Sequence, residues 1–375
     1  MDKAHRLSHD ASVTFEVQRA EIQDPSPVES LSMTSLKRNT GLFYLLAAQL
    51  FNSLMTVSTK ALETTPQEDA VTGLPRKPIR PLQVLLARMF ITYVGALIYM
   101  LIKRRSIPNA PFGPPELRLW LLLRGIVGFC GVFGMYFSLM YLTVSDAVLI
   151  TFLTPTVTVI AVSIVLKERF TKAEAFGTLA SFLGVVLIVR PKFIFGEESE
   201  PTNSGAESEN PRKRLLATLV GLVGVMGVSG VYIVLKYIGH RAHAIISVAY
   251  YSLTVTIVSV IGIAVIPAMQ FSWPQGSRQW LLLISLGFFG FVYQLLLTIG
   301  IQMERAGRSS AIAYTQLVYA VVWDVLLWHH WPSIWSWLGM VVIVGSTVIV
   351  ARCKSKDPQA AQPSLNESVE LENYE

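Results

Sequence analysis

The sequence predicts an all-α integral membrane protein of about ten transmembrane helices, arranged as two inverted-topology five-helix repeats. Three observations predict it. Apolar residues gather in blocks of roughly 18–25, the length a helix needs at about 1.5 Å per residue to cross a hydrocarbon core of about 30 Å. The 31 basic and 25 acidic residues fall largely between these blocks and in the two tails. The longest interior polar stretch, 191–214, leaves five blocks on either side of it.

Distribution carries this argument, because a hydrophobic content of 52% is only a little above that of a soluble chain. A soluble protein of this composition would spread its charges along amphipathic faces. The net charge of +6 forms no contiguous basic surface, which excludes nucleic acid as a partner. Basic residues cluster instead at block ends, as topology selection in membranes requires. The two cysteines, Cys130 and Cys353, give no CxxC, no metal-ligand spacing and no disulfide framework. Cys353 follows the last block in Ala351-Arg352-Cys353-Lys354, a position open to palmitoylation, though an unmodified thiol is the simpler reading. There is no Gly-x-x-x-x-Gly-Lys-Ser/Thr motif, so no ATP site is expected, and no cofactor or metal is implied.

Residues 1–40 are polar, contain Pro25 and Pro27, and read as a disordered cytosolic tail rather than a signal peptide, since the first apolar run starts near Gly41. The first half, 41–190, then offers spans at 41–62, 81–102, 119–142, 145–166 and 172–189. Ser145 is placed to cap the fourth helix, and Thr171 with Glu174 forms a capping box for the fifth. The acidic, Pro- and Gly-bearing stretch 191–214 reads as a flexible linker loop. The second half, 215–352, offers 215–238, 247–269, 279–302, 309–331 and 333–351, with Ser309 as a cap, and 353–375 is a disordered acidic tail. Fifteen loop and tail Lys and Arg lie on one side of the membrane and nine on the other, which places both termini in the cytosol. The single sequon, Asn366-Glu367-Ser368, then lies on the unglycosylated side.

The halves resemble each other. Arg118-Leu119-Trp120-Leu121-Leu122-Leu123 parallels Arg278-Gln279-Trp280-Leu281-Leu282-Leu283, and Ser145-Asp146-Ala147 with Thr151 parallels Ser309-Ser310-Ala311 with Thr315. Five crossings per repeat force the second copy to enter the membrane from the opposite side. Inverted pairs of this kind suit alternating access, and neither an enzyme nor a scaffold requires them. Gly125, Gly128, Gly131 and Gly134, and likewise Gly221, Gly224, Gly227 and Gly230, recur every third residue. Small residues let backbones approach closely in lipid, and a step of roughly 300° makes each stripe drift toward more than one neighbour.

Polar groups at membrane depth mark candidate function. Gln49, Asn52, Ser53, Thr56 and Lys60 share one face of the first span, more than one helix contact ordinarily uses, which favours a cavity lining. Lys236 corresponds to Lys60 if Ser229 matches Ser53; snorkelling to the headgroups is the alternative for both. Arg88 lies about two turns into its span, deeper than Arg124, which is within snorkelling reach of the interface. Thr151, Thr154, Pro155 and Thr158 share a face of the fourth span, where proline frees a carbonyl. The ninth carries Tyr314, Thr315, Gln316, Tyr319, Trp323 and Asp324. Asp324 is either a coupling-proton carrier or a counter-ion. Asp146 suits a helix N-terminus. His329 and His330, flanked by Trp328, Trp331, Trp335 and Trp337, read as an interfacial belt rather than a metal pair, since neighbouring helical residues point apart. Candidate substrate contacts are therefore Gln49, Asn52, Thr56, Lys60, Arg88, Thr151, Thr154, Lys236, Tyr314 and Tyr319.

The run from Arg124-Gly125 through Asp146-Ala147 and Thr154-Pro155 to Leu166-Lys167-Glu168-Arg169-Phe170-Thr171, ending at Gly177 and Gly184, resembles the drug/metabolite transporter superfamily, EamA type. Arg88 stands where that family often has an arginine. Ile238-Gly239-His240-Arg241-Ala242-His243 with Ser247 and Tyr250 is similar to the solute carrier 35 branch, its G subfamily in particular. The resemblance implies inverted five-helix repeats around a cavity lined mainly by helices one to four and six to nine, and substrates among nucleotide sugars, amino acids, organic acids, nucleobases or drugs. The second half departs from the pattern near Tyr319 and from His330 to Pro332, so no symmetric gating role carries over. The expectation is a secondary carrier, not an enzyme, moving a small polar metabolite, an anion being favoured by the excess of buried cations. The alternative is a transport-silent membrane protein acting through its tails. The partners expected are the lipid bilayer and a small-molecule substrate, with a homodimer compatible; the membrane is the plasma membrane or that of an endomembrane organelle.

Overall fold

The computed structural model describes residues 27–63, 81–105, 107, 109–142, 144–167, 171–189, 211–265, 271–274, 276–329 and 331–352. The chain divides into a unit Met1–Gly41, whose described residues 27–41 are helical, and a unit Leu42–Glu375. Residues 1–26, most of the 191–214 linker, Glu168 to Phe170, His330, Cys353 and the Asn366 sequon lie outside the described residues, as does the Ser145 side chain.

Twelve α-helices make ten candidate spans among the described residues, with no strand. They are α1 (Pro27–Glu63), α2 (Pro81–Ile102), α3 (Arg118–Tyr141), α4 (Val144–Phe152), α5 (Thr154–Leu166), α6 (Lys172–Val189), α7 (Pro211–Ile238), α8 (Ala244–Val265), α9 (Ser277–Met303), α10 (Ala306–Ala313), α11 (Thr315–Trp328) and α12 (Ile334–Arg352). Side chains such as Ile164, Leu179, Val223, Leu281 and Val341 remain exposed, as residues facing lipid must. The protein is a multi-pass integral membrane protein.

Several boundaries differ from expectation. The first helix begins at Pro27, so residues 27–40 are helical rather than an irregular tail. The ninth span begins at Ala306 with Arg305 at the cap position, and Ser309 returns its hydroxyl to Ala306 O at 3.1 Å instead of capping. The capping box is present: Thr171 N–H donates to Glu174 Oε2 at 2.9 Å and Glu174 N–H to Thr171 Oγ1 at 3.2 Å.

Two spans are interrupted. α4 and α5 form the fourth, separated at Leu153, with Pro155 in the first turn of α5, where its missing N–H costs least. α10 and α11 form the ninth, separated at Tyr314 without any proline. There Thr315 Oγ1 donates to Ile312 O at 2.7 Å and competes with the helical ladder for that acceptor.

Small residues set the helix contacts. A Cβ built at Gly134 would lie 2.5 Å from Gly224 Cα, and one at Gly227 would lie 2.8 Å from Gly131 N, so α3 and α7 run antiparallel at backbone contact. The stripe drifts as the three-residue step requires. Gly125 and Gly128 face Thr254 and Tyr251 of α8, whereas Gly131 and Gly134 face α7. α6 and α12 repeat the arrangement: Gly184 and Gly339 each face the other's carbonyl, and Ser181 Oγ lies 2.6 Å from Ser346 Oγ.

Candidate functional site

The polar face of α1 meets α11. Gln49, Asn52 and Ser53 are buried, and Trp323 Nε1 donates to Ser53 Oγ at 3.0 Å. Two turns further along α1, Lys60 Nζ lies 2.7 Å from Asp324 Oδ1, both side chains partly exposed at 40% and 44%. Part of the expected cavity stripe is thus used in joining two helices. Thr56, by contrast, is exposed, its hydroxyl bonded to Asn52 O at 3.0 Å. Asp324 takes up the geometry of a counter-ion to Lys60.

The two interrupted spans meet at Tyr314. This residue is completely buried, its hydroxyl lies 3.0 Å from Thr156 Oγ1, and its ring stacks on Phe152 with centroids 6.2 Å apart. Phe152 and Thr156 flank the Leu153 break, so the irregular backbone of one span packs on that of the other. Such backbone is tolerated at membrane depth where protein surrounds it. Thr158 Oγ1 donates to Ser229 Oγ of α7 at 3.0 Å, which parallels the Ser53–Trp323 bond on the matched residue of α1. Thr154 is buried, Thr151 bonds its own helix at Ala147 O, and Tyr319 is half-buried without contributing to this junction.

A third assembly joins α2, α3, α8 and α9. Arg124, expected near the interface, is instead 2% exposed. Its Nη2 donates to Gln294 Oε1 at 3.1 Å, and its guanidinium lies over the Tyr251 ring at 4.0 Å. Arg88, expected to be the more buried, is only half-buried, its stem laid against Gly290. Tyr293 lies within electrostatic range of both arginines. Tyr251, Tyr293 and Gln294 were not marked by the sequence; the available signal was a glutamine inside an apolar block.

Lys236 reaches the link between α9 and α10, where its ammonium donates to the Glu304 carbonyl. Arg308 Nη1 contacts Glu304 Oε2 at 3.3 Å, and Nη2 donates to Ala351 O at 2.9 Å. Burial pushes the Glu304 carboxyl above its ordinary range, opposed by the Arg308 and Lys236 charges. The folded protein therefore holds this proton more firmly than the unfolded chain does. Stability falls as pH rises from the ordinary glutamate range through the raised value, and then levels. Glu304→Gln is expected to flatten that slope in thermal unfolding between about pH 4 and pH 8; an unchanged slope would assign it to another group. His329, Trp331, Trp335 and Trp337 are all exposed, and among the described residues no three His, Cys, Asp or Glu gather to hold a metal.

Ten candidate spans, two of them interrupted, frame these assemblies, and comparison with known proteins makes the protein a membrane transporter. The chain belongs to the EamA-like transporter family, whose model matches residues 39–190 and again 215–352. It is 54% identical to the uncharacterized membrane protein YMR253C of Saccharomyces cerevisiae over 92% of this chain and 83% of that one. It is 50% identical to the probable transport protein YPL264C of the same yeast, over 88% and 93%. It is 30% identical to solute carrier family 35 member G1 of Homo sapiens, over 63% of each chain.

Proposed function

We propose that this transporter is a secondary carrier that moves a small polar, anionic metabolite by alternating access. The halves 41–190 and 215–352 act as the inverted repeats, 191–214 as their flexible linker, and both termini face the cytosol. The observation that carries the reading is the junction at Tyr314. Each half contributes one interrupted span, and the interruptions pack on one another, the arrangement inverted-repeat carriers use at a midplane site. Gln49, Asn52, Thr154 and Tyr319 are further proposed polar contacts of the solute; Lys60 and Lys236 already bond Asp324 and the Glu304 carbonyl, so the positive charge left for an anion is that of Arg88 and Arg124. Asp324 serves as counter-ion to Lys60 in this cycle.

Uptake by purified protein in liposomes, screened over charged and neutral metabolites, tests the proposal. Saturable uptake of one class of anion, accelerated by the same unlabelled solute inside, is the expected result. Uptake no greater than in protein-free liposomes across the whole panel would sink it.

A further inference from the structure

We propose that Arg124 and Arg88 form a buried oxyanion-binding subsite on α9, built to take a carboxylate or phosphate group of a small solute. The proposal rests on the carrier reading above and names where its substrate's charge would be held.

Arg124 is the central observation. A guanidinium taken out of water needs acceptors for its five N–H groups, or a counter-charge, because an unpaired buried charge is strongly disfavoured. Here Gln294 satisfies Nη2 and the Tyr251 ring covers one face, but Nε and Nη1 are buried without a hydrogen-bond partner. Arg88 repeats the condition: its Nε is also buried and unpartnered. Among the described residues neither arginine is paired with a carboxylate. Other acids in or beside the described spans are engaged elsewhere: Asp324 by Lys60, Glu304 by Arg308, and Glu174 by the Thr171 N–H at the α6 cap.

The two cations belong to one place. Arg88 touches α9 at Gly290 and Arg124 touches it at Gln294, positions four apart and therefore one turn apart on one face, about 6 Å along the axis. Glycines make these approaches sterically available. A Cβ at Gly290 would come within 3.1 Å of Arg88 Cγ, and one at Gly128 within 2.6 Å of the Tyr251 ring that supports Arg124. Two arginines that reach α9 one turn apart, with donors left over and neither paired with a carboxylate among the described residues, match the oxygens of a carboxylate or phosphate and repel a cation. A structural arginine would spend its donors on neighbouring carbonyls, and Arg124 leaves two of its three nitrogens unspent.

The test is thermal unfolding of the purified protein in nonionic detergent, followed by fluorescence of its eight tryptophans. Malonate and inorganic phosphate, at ionic strength held constant with chloride, are expected to raise the midpoint saturably, while the neutral analogue malonamide is not. Arg124→Lys keeps the charge but loses the planar donor set, and should raise the half-saturating concentration by about tenfold or more. Arg88→Lys should weaken binding in the same direction, which keeps the proposal testable if Arg124→Lys does not fold. Equal stabilisation by malonamide, or unaltered anion response in both lysine variants, would overturn the subsite. Stabilisation by phosphatidylglycerol in the micelle, with none by either soluble anion, would assign the charge to a lipid and also overturn it. Saturable anion binding without liposome uptake would leave the subsite and remove the carrier reading. Uptake unaffected by Arg124→Lys would do the reverse.

Discussion

Gly134→Leu is expected to abolish the folded protein, while Gly230→Ala is expected to leave its melting temperature close to that of the parent. Both residues belong to the glycine stripes that join α3 to α7, and the difference lies in what a side chain would meet. At position 134 the first added carbon would stand 2.5 Å from Gly224 Cα, 2.8 Å from Val220 O and 2.9 Å from Gly224 N. All three are backbone atoms, so no rotamer change relieves the overlap and the helices must separate along their length. Overpacking alone costs about 1–3 kcal/mol, and here the close packing that holds helices together in lipid is lost with it, a large share of a marginal stability of about 5–15 kcal/mol. At position 230 the nearest atom is Val127 Cβ at 3.6 Å, ordinary contact distance. The measurement is yield of monodisperse protein in detergent, followed by thermal unfolding. A Gly134→Leu variant that purifies normally and melts with the parent would show that this contact is not a fixed part of the bundle.

The Lys60–Asp324 pair is expected to matter far more for turnover than for folding. With both side chains partly exposed, solvent screening limits its contribution to about 0–1 kcal/mol, so Asp324→Asn should fold. Its effect on transport is expected to be on the order of tenfold or more, because removing one member unbalances the charge between α1 and α11 at the place where the polar faces meet. A counter-ion role predicts that Asp324→Asn and Lys60→Met each depress both pH-driven accumulation and substrate exchange in liposomes. The reversed pair, Lys60→Asp with Asp324→Lys, should recover much of the loss. If Asp324→Asn abolishes accumulation yet spares exchange, the aspartate carries a coupling proton and the counter-ion assignment is wrong.

Sequence made the spans legible because a bilayer imposes one length scale, and blocks such as 81–102 and 172–189 fill it with few charges. Local rules also worked where they stayed local. Thr171 and Glu174 cap α6 as their three-residue spacing predicts, and the α3 glycine stripe divides between α7 and α8 as a drifting face must. The site was harder. Arg124 appeared superficial when its depth was judged from the nearest loop, yet its burial is decided by Tyr251 and Gln294, which come from the other half of the chain. Lys60 and Asp324 are separated by 264 residues, so neither span alone announces the pair. The break at Tyr314 lacks the kind of signal Pro155 gave for the facing break at Leu153; only a threonine hydroxyl accompanies it in its own span.

The α3–α7 and α6–α12 contacts each join a helix of the first half to one of the second. A ribosome makes α3 well before α7, and α12 last of all. The glycine face of α3 therefore enters the bilayer before its cover exists, and Ser181 must wait for the final span to bring Ser346. Assembly of these contacts is consequently expected to finish only once the second half is made, and a nascent chain stopped after α6 would still present small-residue faces to lipid.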